Sequence, residues 1–385
     1  MSEARLRIVV TGLIGQYPIG GNAWAYFQWV LGLARLGHDV YYFEDTGQWP
    51  YNPLEGGVSR GCDYNVDYIN SIMSDHDLGD RWAYRFPYES QWFGLSEARR
   101  NEIVSTADLL INVSGTLERP SEYRSIGRLA YVDTDPVFTQ VKLARGQQYF
   151  IRLVDEHDIH FSFGEVKSSL VPDTGHDWLP TRQPVTLNEW APVEDHREAF
   201  TTVMNWTSYN TVSHNGTTYG QKDVEFMRFV DLPALAAPST FEIAVNSGKT
   251  KRTPFDLLRH KGWVVRDPAE VCPDLDSYRN FIRTSKGEWT VAKNGYVQGR
   301  SGWFSERSAV YLASGRPVVT QDTGFGEVLP VGKGLRSFTT LEEAVEAVKE
   351  IEADHSEHCR AARSIAEEYF DSDKVLASFV ERALT

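Results

Sequence analysis

Two doubly wound α/β domains facing a central cleft are the architecture this sequence predicts, and three observations predict it. The chain has 385 residues, more than one hydrophobic core comfortably sustains. Short apolar runs of strand type alternate with amphipathic helical stretches. That alternation stops at a proline-broken polar segment near residue 190 and then starts afresh.

Taken in order, RIVVT (residues 7–11) reads as a buried strand, and the glycine-rich loop GLIGQYPIGGN (residues 12–22) follows it. AWAYFQWVLGLARLG then carries helical periodicity to Gly37, and HDVYYFE reads as a second strand. This β-loop-α-β unit is of the parallel kind. The Trp- and Tyr-rich segment 49–92 has no assignable regular element. SEARRNEIVSTA reads as a helix, DLLINVSG as a strand ending in a turn, and RLAYVDTDP as another strand. HFSFGE closes the first set, and WLPTRQPVTLNEW is a connector.

In the second set FTTVMNW is a strand, and a polar loop runs from it through Gly220 to the helix KDVEFMRFVDLPAL. TFEIAVNS and GWVVRD are strands, DLDSYRNFIRTS is a helix and GEWTVAKN is a strand. A helix then stops at Ala-Ser-Gly315, and RPVVTQ is the next strand. TLEEAVEAVKEIEADHSEHCRAARSIAEEYF reads as one long helix, and DKVLASFVERAL as a last one. The expected divisions are residues 1–190, residues 191–370, and a helix at 371–385 that crosses back to the first domain.

Composition narrows the function. Cys62, Cys272 and Cys359 lie far apart, with no CxxC pair and no clustered His, which opposes a disulfide framework or a structural zinc. The apolar run before Gly12 is too short for a signal peptide, and no stretch approaches the roughly 18 apolar residues of a membrane span. A soluble, cytoplasmic chain is the expectation; no pattern sets its oligomeric state. A net charge of −14 opposes a nucleic-acid or anionic-membrane surface, yet leaves room for a local basic pocket around a phosphorylated small molecule. The 11 Trp and 18 Tyr are enough to fill cores and still line a sugar or base pocket.

In parallel α/β sheets ligands bind beyond the carboxyl ends of strands, where helix N-termini offer free N–H groups to a diphosphate. The loop KNGYVQGRSGWFS (residues 293–305) is such a place. It has Gly295, Gly299 and Gly302 for close backbone approach, Arg300 for charge, Ser301, and Ser305 as an N-cap. A solvated loop before an ordinary capped helix is the competing reading. The first-domain loop lacks GxGxxG spacing, so a dinucleotide is poorly supported; Glu44 or Asp45 is the nearest match to its acidic partner. Asp133-Thr134-Asp135 is an Asp-x-Asp sequence able to hold a divalent cation against a diphosphate, but it is also an ordinary turn cap.

Residues 310–335, VYLASGRPVVTQDTGFGEVLPVGKGL, resemble the donor-domain signature of GT-B nucleotide-sugar glycosyltransferases, notably those like family 4. Ala313, Gly315, Pro317, Val318, Val319, Gly324, Glu327 and Gly334 fall in step. The double Rossmann-like layout and the final crossing helix extend the likeness over most of the chain. The resemblance implies a metal-independent transferase with no cofactor, a nucleoside diphosphate sugar as co-substrate, and a small-molecule or glycan acceptor. It implies donor contacts from Gly20, Gly21 and Asn22, and from Asn205 and Lys222 near positions where the family places an Arg and a Lys. Arg300, Ser301, Gly302, Ser305, Glu306 and Arg307 complete the donor site, with Gln321, Asp322 and Thr323 on sugar hydroxyls. Asp133 or Asp135 would take the acceptor's proton.

There is one departure. The family's ribose-binding Glu, five positions before the helix-ending Gly, is Val310 here, which accepts no hydrogen bond. Glu306, one turn earlier on the same face, either substitutes for it or only favours the first helical turn electrostatically. Arg307 either meets phosphate or braces the helix. The GWFS match to the plant-type His-Cys-Gly-Trp-Asn-Ser stretch lies two residues too early and lacks the His, so it is accidental. A nucleotide-sugar 2-epimerase shares the architecture, and a non-catalytic nucleotide-sugar-binding protein would tolerate Val310.

Overall fold

The computed structural model describes residues 5–248 and 253–385. Among these, the first domain holds an eight-stranded sheet. Its strands are β1 (Arg7–Thr11), β2 (Asp39–Glu44), β3 (Trp82–Phe86), β4 (Gln91–Gly94), β5 (Leu109–Val113), β6 (Arg128–Asp133), β7 (Ile159–Ser162) and β8 (Trp178–Pro180). They lie in the order β8-β7-β6-β5-β1-β2-β3-β4, parallel except where β3 meets β4. The second domain holds β9 (Ala199–Asn205), β10 (Thr240–Asn246), β11 (Val264–Arg266), β12 (Gly287–Thr290), β13 (Val318–Gln321) and β14 (Leu335–Phe338). Their order is β11-β10-β9-β12-β13-β14, and every pairing is parallel. In both sheets the chain order reverses beside the first strand, which creates the switch-point crevice where such folds take ligands.

The strands behave as their apolar runs require. Ile8, Val9 and Val10 are fully buried, as strands covered by helices on both faces must be. In the second domain Trp289 of β12 stacks on Phe338 at 5.5 Å and meets Trp263 at 5.2 Å, anchoring a separate aromatic core.

The two domains touch along closely packed backbone. The helix Gly20–Arg35 docks on the second-domain helix Leu275–Arg283, and Trp24 Nε1 donates to the Leu275 carbonyl at 2.9 Å. A Cβ on Gly295 would stand 2.4 Å from the Phe138 ring, and one on Gly299 would stand 2.4 Å from Val137. The last helix, Ser372–Leu384, returns to the first domain, where Phe379 packs edge-on against Trp29 at 5.3 Å. Arg382 also donates to the Pro180 carbonyl at 2.8 Å.

Several elements differ from the sequence expectation. Segment 49–92 contains the helix Asp63–Ser74, β3 and the start of β4; the buried face of that helix is only Asn65, Ile69, Ile72 and Met73, too thin a stripe to read. The connector supplies β8, an edge strand, where Pro180 is tolerated. The long helix is two, Leu341–Ala353 and His355–Tyr369. Asp354, at φ −148°, leaves the helical path between them and caps the second through the Glu357 N–H. The helix after Gly220 breaks into Lys222–Phe226, a 3-10 turn at Met227–Phe229, and Leu232–Leu235 with Pro233 in its first turn. Asn294–Gly299 is a helix inside what reads as a loop. No helix among the described residues is long and apolar enough to cross a membrane.

Candidate functional site

The C-terminal ends of β9, β12 and β13 meet the start of the helix Glu306–Ala313 at the lip of the cleft. Arg307 sits beneath that lip and is buried. Its Nε donates to Glu288 Oε1 at 2.5 Å, Nη1 to the Val203 carbonyl at 2.8 Å and Nη2 to Thr290 Oγ1 at 2.9 Å. Of the two roles open to Arg307, bracing is the one its contacts fulfil, because it ties the helix to β9 and β12. Ser305 caps the same helix, its Oγ accepting from the Arg307 N–H at 3.2 Å.

Lys222 opens the helix Lys222–Phe226 and is 8 % exposed. Among the described residues its ammonium has neither an ion pair nor a hydrogen bond. Burial and the Arg307 guanidinium push its pKa well below the ordinary lysine value, while Glu288 and Glu306 pull the other way. The short helix is held by Glu225, which accepts from Asn294 Nδ2 at 2.7 Å and Gln321 Nε2 at 2.5 Å. Gln321 Oε1 also accepts from the Ala292 N–H at 3.2 Å, so Gln321, which is buried, positions strand ends.

Glu306 is half-buried, and among the described residues its carboxylate has no hydrogen-bond donor. Its charge bears on Tyr26 of the first domain and on Tyr278, Tyr296 and Lys222 of the second, which places it between the two. Val310, one turn on, is 2 % exposed within the hydrophobic core. One helix face thus runs from core at Val310 to cleft at Glu306. Nearby in the chain, Ser301 Oγ and Gln221 Nε2 are buried without a partner among the described residues.

The Asp-x-Asp sequence departs from its expected role. Asp133 is buried and accepts four bonds: from the Asp135 N–H at 3.0 Å, Thr139 Oγ1 at 2.8 Å, Gln140 Nε2 at 2.9 Å and Ser162 Oγ at 3.1 Å. A carboxylate offers about four lone-pair sites, so Asp133 is saturated and cannot take a substrate proton in this arrangement. Asp135 reaches across to the second domain, accepting from Lys293 Nζ at 2.9 Å, Tyr209 Oη at 2.5 Å and Tyr296 Oη. Burial works against its charge, but Lys293, the two tyrosines and Lys142 outweigh it and hold its pKa below the usual Asp value. Such a carboxylate is a weak base. It forms an interdomain latch, and no group of three or more His, Cys, Asp or Glu able to hold a metal occurs among the described residues.

The expected phosphate-approach glycines serve packing instead. A Cβ on Gly20 would fall 2.1 Å from the Asp274 carbonyl, and one on Gly21 2.8 Å from the Tyr278 ring. Asn22 Nδ2 ties down its own loop, donating to the Leu13 carbonyl at 2.6 Å and that of Tyr17 at 2.9 Å. Gly302, at φ +77°, lies against Val166 of the first domain and donates to the Thr323 carbonyl at 2.9 Å. Arg300 pairs with Asp322 at 2.9 Å, Asp322 Oδ1 accepts from the Gly324 N–H at 2.8 Å, and Thr323 Oγ1 donates to the Trp303 carbonyl at 2.5 Å. Asn205 ends β9 exposed. Of the sequence-derived set, Lys222, Glu306, Ser301 and the exposed Asn205 are among those that keep uncommitted polar groups among the described residues. Sequence reasoning missed Lys293, Tyr209 and Tyr296. Lys293 opens the loop 293–305 that the strand-end rule picked out, but its charge gains a role only through Asp135 of the other domain.

No family model matches the sequence, and no curated protein matches it. Solved structures do match in fold. Anabaena HepE in complex with UDP-glucose superposes with a TM-score of 0.59 at 11% identity, covering 98% of this chain and 99% of that one. An alpha-glucosyltransferase in complex with UDP and a 13-mer DNA containing a HMU base gives 0.60 at 12% identity, over 100% of both chains. Sucrose-phosphate synthase from Thermosynechococcus elongatus gives 0.55 at 11% identity over 98% of both. Together with the two switch-point sheets, these likenesses establish the two-domain GT-B fold for the whole chain.

Proposed function

We propose that this chain moves a sugar from a nucleoside diphosphate donor to a hydroxyl acceptor in the cleft between its domains. Lys222 carries the reading. A buried ammonium beside a guanidinium, with no carboxylate in contact, is a costly arrangement that a bound diphosphate would relieve. The same charge would stabilise the diphosphate as it leaves. Glu306, with acceptor capacity facing the cleft, takes donor hydroxyls in place of the carboxylate that Val310 lacks. Structures of the same fold that hold UDP or UDP-glucose support this ligand class. The reading invokes no metal and no cofactor.

Titration calorimetry with UDP, GDP and dTDP tests it, beside hydrolysis of the corresponding sugar donors. At least one nucleotide should bind the full chain, and Lys222→Met should weaken it at least tenfold, about 1.4 kcal/mol. No binding to any of the three would overturn the reading. Binding without turnover of any donor would favour a non-catalytic nucleotide-sugar-binding protein. The engaged Asp133 and Asp135 carboxylates and the buried Val310 keep that alternative in view.

A further inference from the structure

Beyond the end of β2, on the carboxyl edge of the first-domain sheet, a cavity of about 210 Å³ opens beside an exposed aromatic group. Asp45 forms part of its wall and is 1 % exposed. One carboxylate oxygen, Oδ2, accepts from Arg85 Nη1 at 3.0 Å and Tyr123 Oη at 3.1 Å. The other, Oδ1, is buried without any donor among the described residues. A buried carboxylate oxygen with nothing to accept is costly in a finished core, and the place of Asp45 in a cavity wall points to a ligand that donates to that oxygen.

The remaining walls specify the ligand. Arg85 and Arg119 line the cavity with Asp45 and Glu118, so the lining charges cancel. Both arginines are also paired with Glu122 at 3.0 Å, which leaves no net positive field for a phosphate or a uronate. Pro87, also in the wall, leads directly to Tyr88, which is 57 % exposed. Its ring lies 6.1 Å from that of Trp49, itself 40 % exposed and 5.5 Å from Phe86. Exposed flat rings beside a charge-neutral, hydrogen-bonding cavity match a molecule with one apolar face and a rim of hydroxyls.

We infer that this cavity and its aromatic rim form a subsite for a neutral hexopyranose unit of the acceptor, stacked on Trp49 and Tyr88 and donating a hydroxyl hydrogen to Asp45 Oδ1. The acceptor role rests on the transferase reading; the sugar site itself does not. The aromatic rim is tied to the glycine-rich loop through Gln16. That side chain donates to the Trp49 carbonyl at 2.5 Å and accepts from Thr46 Oγ1 at 3.0 Å.

Saturation-transfer NMR on the full chain, with maltose and cellobiose as probes and glucuronate as the charged control, tests the inference. Irradiating aromatic protein signals should label ring protons of at least one disaccharide and leave glucuronate unlabelled. Trp49→Ala and Tyr88→Ala should each lower that transfer at least threefold, with melting temperature as the folding control. The exposure of Tyr88 keeps the second variant informative if the first is unstable. Asp45→Asn should weaken the same probe. No transfer to either disaccharide, labelling of glucuronate to the same extent, or transfer unchanged in a folded Tyr88→Ala would overturn the inference. UDP calorimetry on the same preparation separates the two claims. Disaccharide binding without nucleotide binding removes the transferase reading alone, and nucleotide binding without disaccharide binding removes the subsite alone.

Discussion

Lys222 is the residue at which function and stability pull in opposite directions. Its ionised form is penalised by burial and by Arg307, so its pKa in the folded chain lies well below that in the unfolded chain. Between those two values the unfolded state binds more protons, so this group's contribution to stability rises with pH across that window. At neutral pH and below, the folded protein carries the penalty. Lys222→Met, of similar length and without the charge, should therefore melt higher than the parent at pH 7 while binding nucleotide more weakly. Scanning calorimetry from pH 6 to 10.5 should show that gap closing towards the alkaline end. A variant that melts lower at pH 7 would show that the ammonium is compensated in the empty protein. Lys222 was legible in the sequence because a cation at a helix start is misplaced. Tyr209 and Tyr296 were not, because a tyrosine becomes part of a site only through the partner that folding brings to it, here Asp135 from 161 residues before Tyr296.

At the scale of elements, the central strands of both sheets were readable as apolar runs, but β3, β4, β8 and β14 were not, and glycine-rich turns were readable as turns but not as to what they approach. Gly20 is the clearest case: with the Asp274 carbonyl 2.1 Å from where a Cβ would stand, the helix Gly20–Arg35 cannot dock if that position bears a side chain. Gly20→Ala should cost about 1–3 kcal/mol in chemical denaturation, and an unchanged midpoint would mean the helices separate at little cost. The loop before that helix hangs on Glu44, which accepts from the Gly15 N–H at 2.9 Å, from the Gln16 N–H at 2.5 Å and from Tyr42 Oη. Burial outweighs these three donors and lifts its pKa to about 7. A raised carboxyl contributes stability that is present in full below the unfolded value, near 4.5, and is lost as pH rises through about 7. Unfolding free energy should fall by up to roughly 3 kcal/mol between pH 5 and pH 8.5 from this group. Glu44→Gln should flatten that dependence, and an identical pH profile in the variant would remove Glu44 as its source.

The whole molecule was legible as two alternations and a returning helix; the surface on which the halves meet was not. Residues 133–137 read as a strand end and a turn, yet they are where the domains are fastened. Asp135 takes three donors from the second domain, Trp303 Nε1 donates to the Thr134 carbonyl at 3.3 Å, and Gly299 admits Val137. Because the Asp135 pKa is held low, the latch is ionised across the neutral range and is lost only as pH falls through that lowered value. Asp135→Asn keeps the shape, removes the charge that Lys293 faces and should loosen the closed pair of domains without unfolding either. Small-angle scattering at pH 7 should then give a larger radius of gyration than the parent, while near-UV circular dichroism stays the same. Equal radii would place the fastening elsewhere, on the Trp24–Leu275 contact and the glycine-lined helix packing beside it. The outcome also bears on chemistry. Asp135 can accept a proton from an acceptor hydroxyl only after Lys293 and the two tyrosines let it go. If the variant opens the domains, one motion governs both access to the cleft and the release of the Asp135 carboxylate.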